Sequence, residues 1–139
     1  MNNLKSLHGV AVLVIDDSEI DLAAMASLLS DAGLVVHTLP TPIGATRVAK
    51  AHQVQAVVID QNMPSMDGSK LAALFRGSRA FHDVGLVLVS GDDDGPMNRV
   101  VHEVGADAFV AKKAIGYELV DTVVRVLLAK MVHGGVGHG

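Results

Sequence analysis

The sequence has no cysteine and no tryptophan, and only one tyrosine and three phenylalanines among its 139 residues. Without cysteine it can build neither a disulfide framework nor a cysteine-based zinc site. The absence of thiols fits a reducing compartment. Basic residues are also scarce. Eleven Lys and Arg against fifteen Asp and Glu give a formal net charge of −4 and a pI near 5.9. That balance lacks the basic stripe of a nucleic-acid binder, so no direct nucleic-acid contact is expected. No long apolar stretch precedes Asp16. Neither a signal peptide nor a membrane span is expected there, and the protein reads as soluble and cytoplasmic. Half the residues are apolar and 19% are charged, a globular composition. The length suits one domain with a sizeable core.

Short apolar runs alternate with longer helical patterns. Val10–Ile15 is a continuous apolar run, and Val54–Ile59 (broken only at Gln55), Leu86–Val89 and Ala108–Ala111 are similar. Such runs, rich in Val and Ile, suit parallel strands buried on both faces. Val35–Leu39 is a weaker strand, interrupted by His37 and Thr38. Between the runs, Ser18 can cap a helix through Ala32. Asp21 follows three residues later as an approximate capping box, and Gly33 ends the helix. Thr41–Ala51, with Pro42 in the first turn, predicts a second helix, and Asp67 to about Arg76 a third. Pro96 opens a fourth, running to Gly105, and Glu118–Val132 forms a fifth.

The order is βα repeated five times. Strict alternation implies an α/β fold, a doubly wound five-stranded parallel sheet with right-handed crossovers. No linker or repeat divides the chain. Residues 1–139 read as one domain with a core of about 8–132 and a frayed Gly-rich tail from His133. A metal clip from His133 and His138 is the sharper reading of that tail, and a solvated end is the preferred one.

In such a fold the functional site lies beyond the carboxyl ends of the strands. Asp16 and Asp17 follow the first strand, Asp60 the third, Ser90 and Gly91 the fourth, and Lys112 and Lys113 the fifth. Three carboxylates, a hydroxyl and at least one ammonium therefore converge on one sheet edge. Carboxylates packed together repel one another, and a hard divalent cation relieves the repulsion. A carboxylate beside such an ion can act as a nucleophile toward phosphorus. Lysine and serine can then meet the charge on the transferring group.

At these residues the chain resembles a known family. The segment Val57-Val58-Ile59-Asp60-Gln61-Asn62-Met63-Pro64-Ser65-Met66-Asp67-Gly68 is similar to the phosphoacceptor segment of bacterial response-regulator receiver domains. Asp16-Asp17, Ser90-Gly91 and Lys112 fall at that family's other marks, and the resemblance covers about residues 8–132. It implies a CheY-like fold with flavodoxin-like strand order 2-1-3-4-5. It also implies Asp60 as phosphoacceptor and Mg²⁺ as cofactor, with Asp17 as direct ligand and Asp16 acting through water. The Asn62 backbone carbonyl would complete the metal set. Ser90 matches the switch hydroxyl, Phe109 the aromatic that follows it, and Lys112 the phosphoryl-binding lysine. Gly91 would leave room for the phosphoryl group, and Pro64 and Gly68 would shape the loop. The implied partners are a sensor histidine kinase or histidine phosphotransfer protein upstream and an output protein or domain downstream. The implied effect is a change in the face formed by the fourth helix, fifth strand and fifth helix.

Three departures bear on that reading. The family usually has proline after the lysine, often cis, where this chain has Lys113. A cis non-proline bond costs roughly 3–4 kcal/mol, so Lys112–Lys113 is expected to be trans. Either Lys112 is then placed differently or the loop is rebuilt around Lys113. Ser90 replaces the commoner threonine, and Asp92, Asp93 and Asp94 form an acidic run. Asp94-Gly95-Pro96 also reads as a helix start.

Two other classes compete. A degenerate receiver would act as an unphosphorylated scaffold, a reading that Lys113 alone favours. A Mg²⁺-dependent phosphohydrolase would need an acid near its nucleophile and a cap domain. Asn62 is a poor acid, and no cap insertion is present. The fifth helix adds one more clue. Leu119, Val120, Val123, Val124, Val126, Leu127, Leu128 and Met131 cover about half its circumference, more than the roughly 100° that packing on a sheet requires. The surplus points either to a partner surface or to broad core contact. The first reading predicts homodimerisation or partner docking through this helix.

Overall fold

A computed structural model describes residues 6–91 and 94–138, with the side chains of Asp94 and residues 133–138 outside that description. Among the described residues, five strands and five helices alternate: β1 Ala11–Ile15, α1 Glu19–Asp31, β2 Val35–Leu39, α2 Ala45–Ala51, β3 Ala56–Asp60, α3 Gly68–Gly77, β4 Gly85–Ser90, α4 Asp94–Val104, β5 Ala108–Ala111 and α5 Ile115–His138. All pairings are parallel, in the order β2-β1-β3-β4-β5. Chain order reverses between β1 and β3, which leaves the crevice used by open α/β folds at their carboxyl ends.

Strand alternation splits the core into two layers. Val12, Val14, Val58, Val87 and Val110 pack on one face with Met25 and Leu29 of α1 and Leu119, Val123 and Leu127 of α5. Leu13, Ile15, Ile59 and Leu88 pack on the other with Ala49 of α2, Leu71 and Phe75 of α3 and Met97 of α4. β1, β3 and β4 therefore carry apolar side chains on both faces, which is why they read as continuous apolar runs. β2 is an edge strand with a half-exposed pattern, as its polar interruptions imply.

The boundaries differ where local polar bonding overrides periodicity. α1 starts as expected, with the Asp21 N–H donating to Ser18 Oγ at 3.3 Å, and Gly33 follows it at φ +99°. The expected capping box is not completed by the Asp21 carboxylate, which turns instead to Lys112 at 2.8 Å. α2 begins at Ala45, not Thr41. Thr41 Oγ1 accepts from the Ile43 N–H at 3.2 Å, and Gly44 sits at φ +81°, so residues 41–44 form a turn. β3 begins at Ala56, not Val54. The Val54 N–H donates to the Ala49 carbonyl at 3.1 Å, so this buried residue closes α2. α4 begins at Asp94, two residues before the expected Pro96, which thus lies in its first turn. α5 begins at Ile115 rather than Glu118 and extends through His138.

α5 also resolves most of its apolar surplus. Leu119, Val123, Val126 and Leu127 are buried, and Val120, Val124 and Leu128 are half-buried against the same core layer. The helix packs on β4, β5 and α1, so broad core contact accounts for a stripe wider than one sheet contact needs. Among the described side chains of α5, Tyr117, Met131 and Val132 are the large apolar ones left exposed. Among the described residues, no helix is long and apolar enough to cross a membrane.

Candidate functional site

Register assembles the site. Ile15 pairs with Ile59, Asp60 with Val89, and Ser90 with Ala111. The residues that end or follow β1, β3, β4 and β5 are therefore Asp16-Asp17, Asp60, Ser90 and Lys112, all at one rim. Asp16 and Asp60 are buried to 0% and 1% exposure, while Asp17 is exposed. One carboxylate oxygen from each of the three lies within 4.8 Å of the others. Ser90 is fully buried at the end of β4. The side chain of Phe109 lies half-buried on the α4 side of the sheet, beside a surface cleft of about 290 Å³ shared with Asn98, Lys113 and Tyr117.

Local bonds fix the carboxylates. The Ser18 N–H donates to Asp16 Oδ1 at 2.9 Å, and the Asn62 N–H donates to Asp60 Oδ1 at 3.2 Å. The loop after Asp60 is pinned by residues that the sequence did not single out for this work. Gln61 Oε1 accepts from the Ser69 N–H at 2.8 Å, its Nε2 donates to Ser69 Oγ at 3.2 Å, and its N–H donates to the Val89 carbonyl at 2.8 Å. An amide side chain directly after the key aspartate, with a serine directly after Gly68, was the available signal. Gly68 is required sterically. A Cβ there would collide with the Asp60 carbonyl and stand 2.8 Å from Gln61 Cα. Among the described residues, a Cβ at Gly91 would meet nothing within 4 Å. Pro64 is exposed, and Met63 is buried under the loop.

Lys112 reaches three carboxylates: Asp21 Oδ2 at 2.8 Å, Asp16 Oδ2 at 3.3 Å and Asp60 Oδ1 at 3.5 Å. It opens a 3₁₀ turn over Lys112–Ala114, and no cis peptide bond occurs among the described residues, as expected with Lys113 in place of proline. Lys113 is exposed. Of the two lysines, Lys112 is thus the one drawn into the site. Asp92 and Asp93 lie outside the described residues.

Electrostatics set Asp60 apart. Burial pushes its carboxyl up to about 6, and the neighbouring Asp16 adds to the rise. The Asn62 N–H and the Lys112 charge oppose it. Burial would lower the Lys112 ammonium, but the Asp21 hydrogen bond and the charges of Asp60, Asp16 and Asp21 outweigh it. They hold Lys112 above its ordinary value. Two buried carboxylates and an exposed third make a donor set suited to a small hard cation that keeps several waters.

A family model described as the response regulator receiver domain matches residues 12–124. The chain belongs to this family. Receiver domains of two-component systems are phosphoacceptor signalling domains and not enzymes, which removes the phosphohydrolase alternative. They bind Mg²⁺ through an acidic cluster, and they work with kinases and output domains. This receiver domain is 29% identical over 116 residues to Protein RcaC of Microchaete diplosiphon, covering 84% of this chain and 18% of RcaC. It is 29% identical over 115 residues to the TorCAD operon transcriptional regulatory protein TorR of Escherichia coli K12, covering 83% of this chain and 47% of TorR. The chain thus spans less than half the length of these curated relatives. The fold is shared with Vibrio cholerae chemotaxis protein CheY4, at a TM-score of 0.79 and 24% identity over 85% of this chain and 98% of that one.

Proposed function

We propose that this receiver domain is a phosphorylation-dependent switch that takes a phosphoryl group on Asp60. The observation that carries this reading is a buried carboxylate with two further carboxylates within 4.8 Å and an ammonium 3.5 Å away. Asp16, Asp17 and Asp60, with the Asn62 carbonyl, are the residues that would hold Mg²⁺. The ion, when bound, neutralises charge on the phosphoryl oxygens.

The donor is a phosphohistidine of a sensor kinase or histidine phosphotransfer protein. An Asp60 carboxylate oxygen forms the new P–O bond as the P–N bond breaks. The imidazole nitrogen keeps the electron pair and takes a proton. Lys112 pairs with the phosphoryl oxygens, and the Ser90 hydroxyl turns toward them. Movement of Ser90 allows Phe109 to turn inward and reshapes the surface of α4, β5 and α5, where an output protein or domain docks. A near-complete switch from 1:99 to 99:1 needs about 5.5 kcal/mol of difference between the two states. Residues 8–132 form the functional unit, working in the cytoplasm. Self-association through α5 would use the exposed Tyr117, Met131 and Val132. An unchanged monomer mass with and without a phosphoryl mimic would overturn that part.

The unphosphorylated-scaffold reading keeps one observation in its favour, a lysine loop built without the family's proline. Incubation with Mg²⁺ and acetyl phosphate, read by intact mass, separates the two. One phosphoryl group on the wild type and none on Asp60→Asn supports the switch. No added mass, under conditions that load another receiver, makes this chain a scaffold.

A further inference from the structure

Lys112 has more carboxylates around it than phosphoryl binding requires. Its ammonium donates hydrogen bonds to Asp21 and Asp16 and forms a longer ion pair with Asp60. The shortest of these contacts is to Asp21, at 2.8 Å, against 3.5 Å to Asp60. Asp21 stands apart from the acidic cluster of Asp16, Asp17 and Asp60. It therefore competes for the ammonium without competing for a metal ion. Its own helix leaves it free to do so, because the Ser18 cap is satisfied by the Asp21 backbone N–H. The carboxylate is not used by α1 for capping and crosses to the 3₁₀ turn at the end of β5.

We propose that Asp21 is a positioning residue that holds Lys112 toward α1 and so slows phosphorylation of Asp60. The inference rests on the phosphoacceptor reading above. An incoming phosphoryl group must draw the ammonium away from a carboxylate already bonded to it. Removing that competitor leaves the three donors to Asp16, Asp60 and the phosphoryl oxygens. The pair is partly solvated, with side-chain exposures of 26% for Lys112 and 36% for Asp21. The effect is accordingly modest, a rate increase of about two- to fivefold, the range of a solvent-exposed ion pair.

The experiment compares initial rates of phosphorylation by acetyl phosphate at fixed Mg²⁺ for wild type, Asp21→Asn, Asp21→Glu and Glu19→Gln, with Asp60→Asn as blank. Glu19 lies in the same helical turn, is exposed, and forms no ion pair with Lys112. Its neutralisation therefore reports the general effect of one less negative charge. The expected result is a two- to fivefold faster rate for Asp21→Asn, with Asp21→Glu near wild type and Glu19→Gln clearly below Asp21→Asn. Equal rates for Asp21→Asn and wild type, or an equal gain in Glu19→Gln, would overturn the proposal. A second readout needs no phosphorylation. The Lys112 Nζ resonance in ¹⁵N spectra should move in Asp21→Asn and stay in Glu19→Gln. If the wild type takes no phosphoryl group, the phosphoacceptor reading fails by itself. An unmoved Lys112 resonance in Asp21→Asn would then show separately that Asp21 does not hold the lysine.

Discussion

Asp60 should weaken the fold that positions it. Its carboxyl is raised from 3.8 to about 6, first by burial and then by Asp16. A folded value above the unfolded one means that ionisation is harder in the folded chain. The associated stability is fully present below about pH 3.8, falls as pH rises through about 6, and is absent at pH 7.5. The shift is about two pH units at 1.36 kcal/mol each, so ionised Asp60 destabilises the metal-free protein by about 3 kcal/mol. Asparagine has nearly the shape of the neutral acid and carries no charge. Asp60→Asn should therefore be more stable than wild type at pH 7.5 in EDTA by about 2–3 kcal/mol, or roughly 10 °C in Tm. The gap should shrink to a few tenths of a kcal/mol near pH 4, where wild-type Asp60 is already protonated in the folded state. Urea unfolding followed by far-UV circular dichroism suits a chain without tryptophan. A gap equal at both pH values, or a less stable variant at pH 7.5, would refute the electrostatic account of this site.

Metal should offset part of that penalty. Mg²⁺ at ten times its Kd should stabilise the wild type by about 1.4 kcal/mol, and Asp16→Asn or Asp60→Asn by markedly less in the same urea titration. Gly68→Ala forces a Cβ into the Asp60 carbonyl. It should cost about 1–3 kcal/mol in a urea melt and slow acetyl-phosphate labelling, because the loop carrying Asp60 must shift. Asp107 provides a contrast at the opposite end of the sheet, just before β5. Its carboxylate accepts from the Leu86 N–H at 2.8 Å and pairs with Arg76 at 3.1 Å and Lys130 at 3.0 Å. Asp107→Ala leaves the Leu86 N–H without that acceptor and should lower stability by about 1–3 kcal/mol, with the labelling rate unchanged.

Much of this architecture was legible because β1, β3 and β4 are apolar on both faces, a signal that survives without knowledge of tertiary contacts. Once alternation fixed a parallel sheet, Asp16, Asp17, Asp60, Ser90 and Lys112 had to gather at one rim. What stayed hidden depended on choices among local partners. Val54 is buried and β-branched, which read as strand, yet its N–H closes α2. Thr41 and Gly44 build a turn where Pro42 suggested a helix start. Asp21 read as a cap residue, but only interatomic distance shows that its carboxylate takes Lys112. The apolar breadth of α5 left two readings open until its packing against both the sheet and α1 absorbed most of it.

The central claim is that Asp60 accepts the phosphoryl group. The most direct test is to label the protein with acetyl phosphate and Mg²⁺, digest it at once, and locate the added mass by fragmentation. The account predicts one phosphoryl group on the peptide containing Asp60, absent with EDTA and absent in Asp60→Asn. A phosphoryl group on any other residue, or labelling that survives Asp60→Asn, would contradict it.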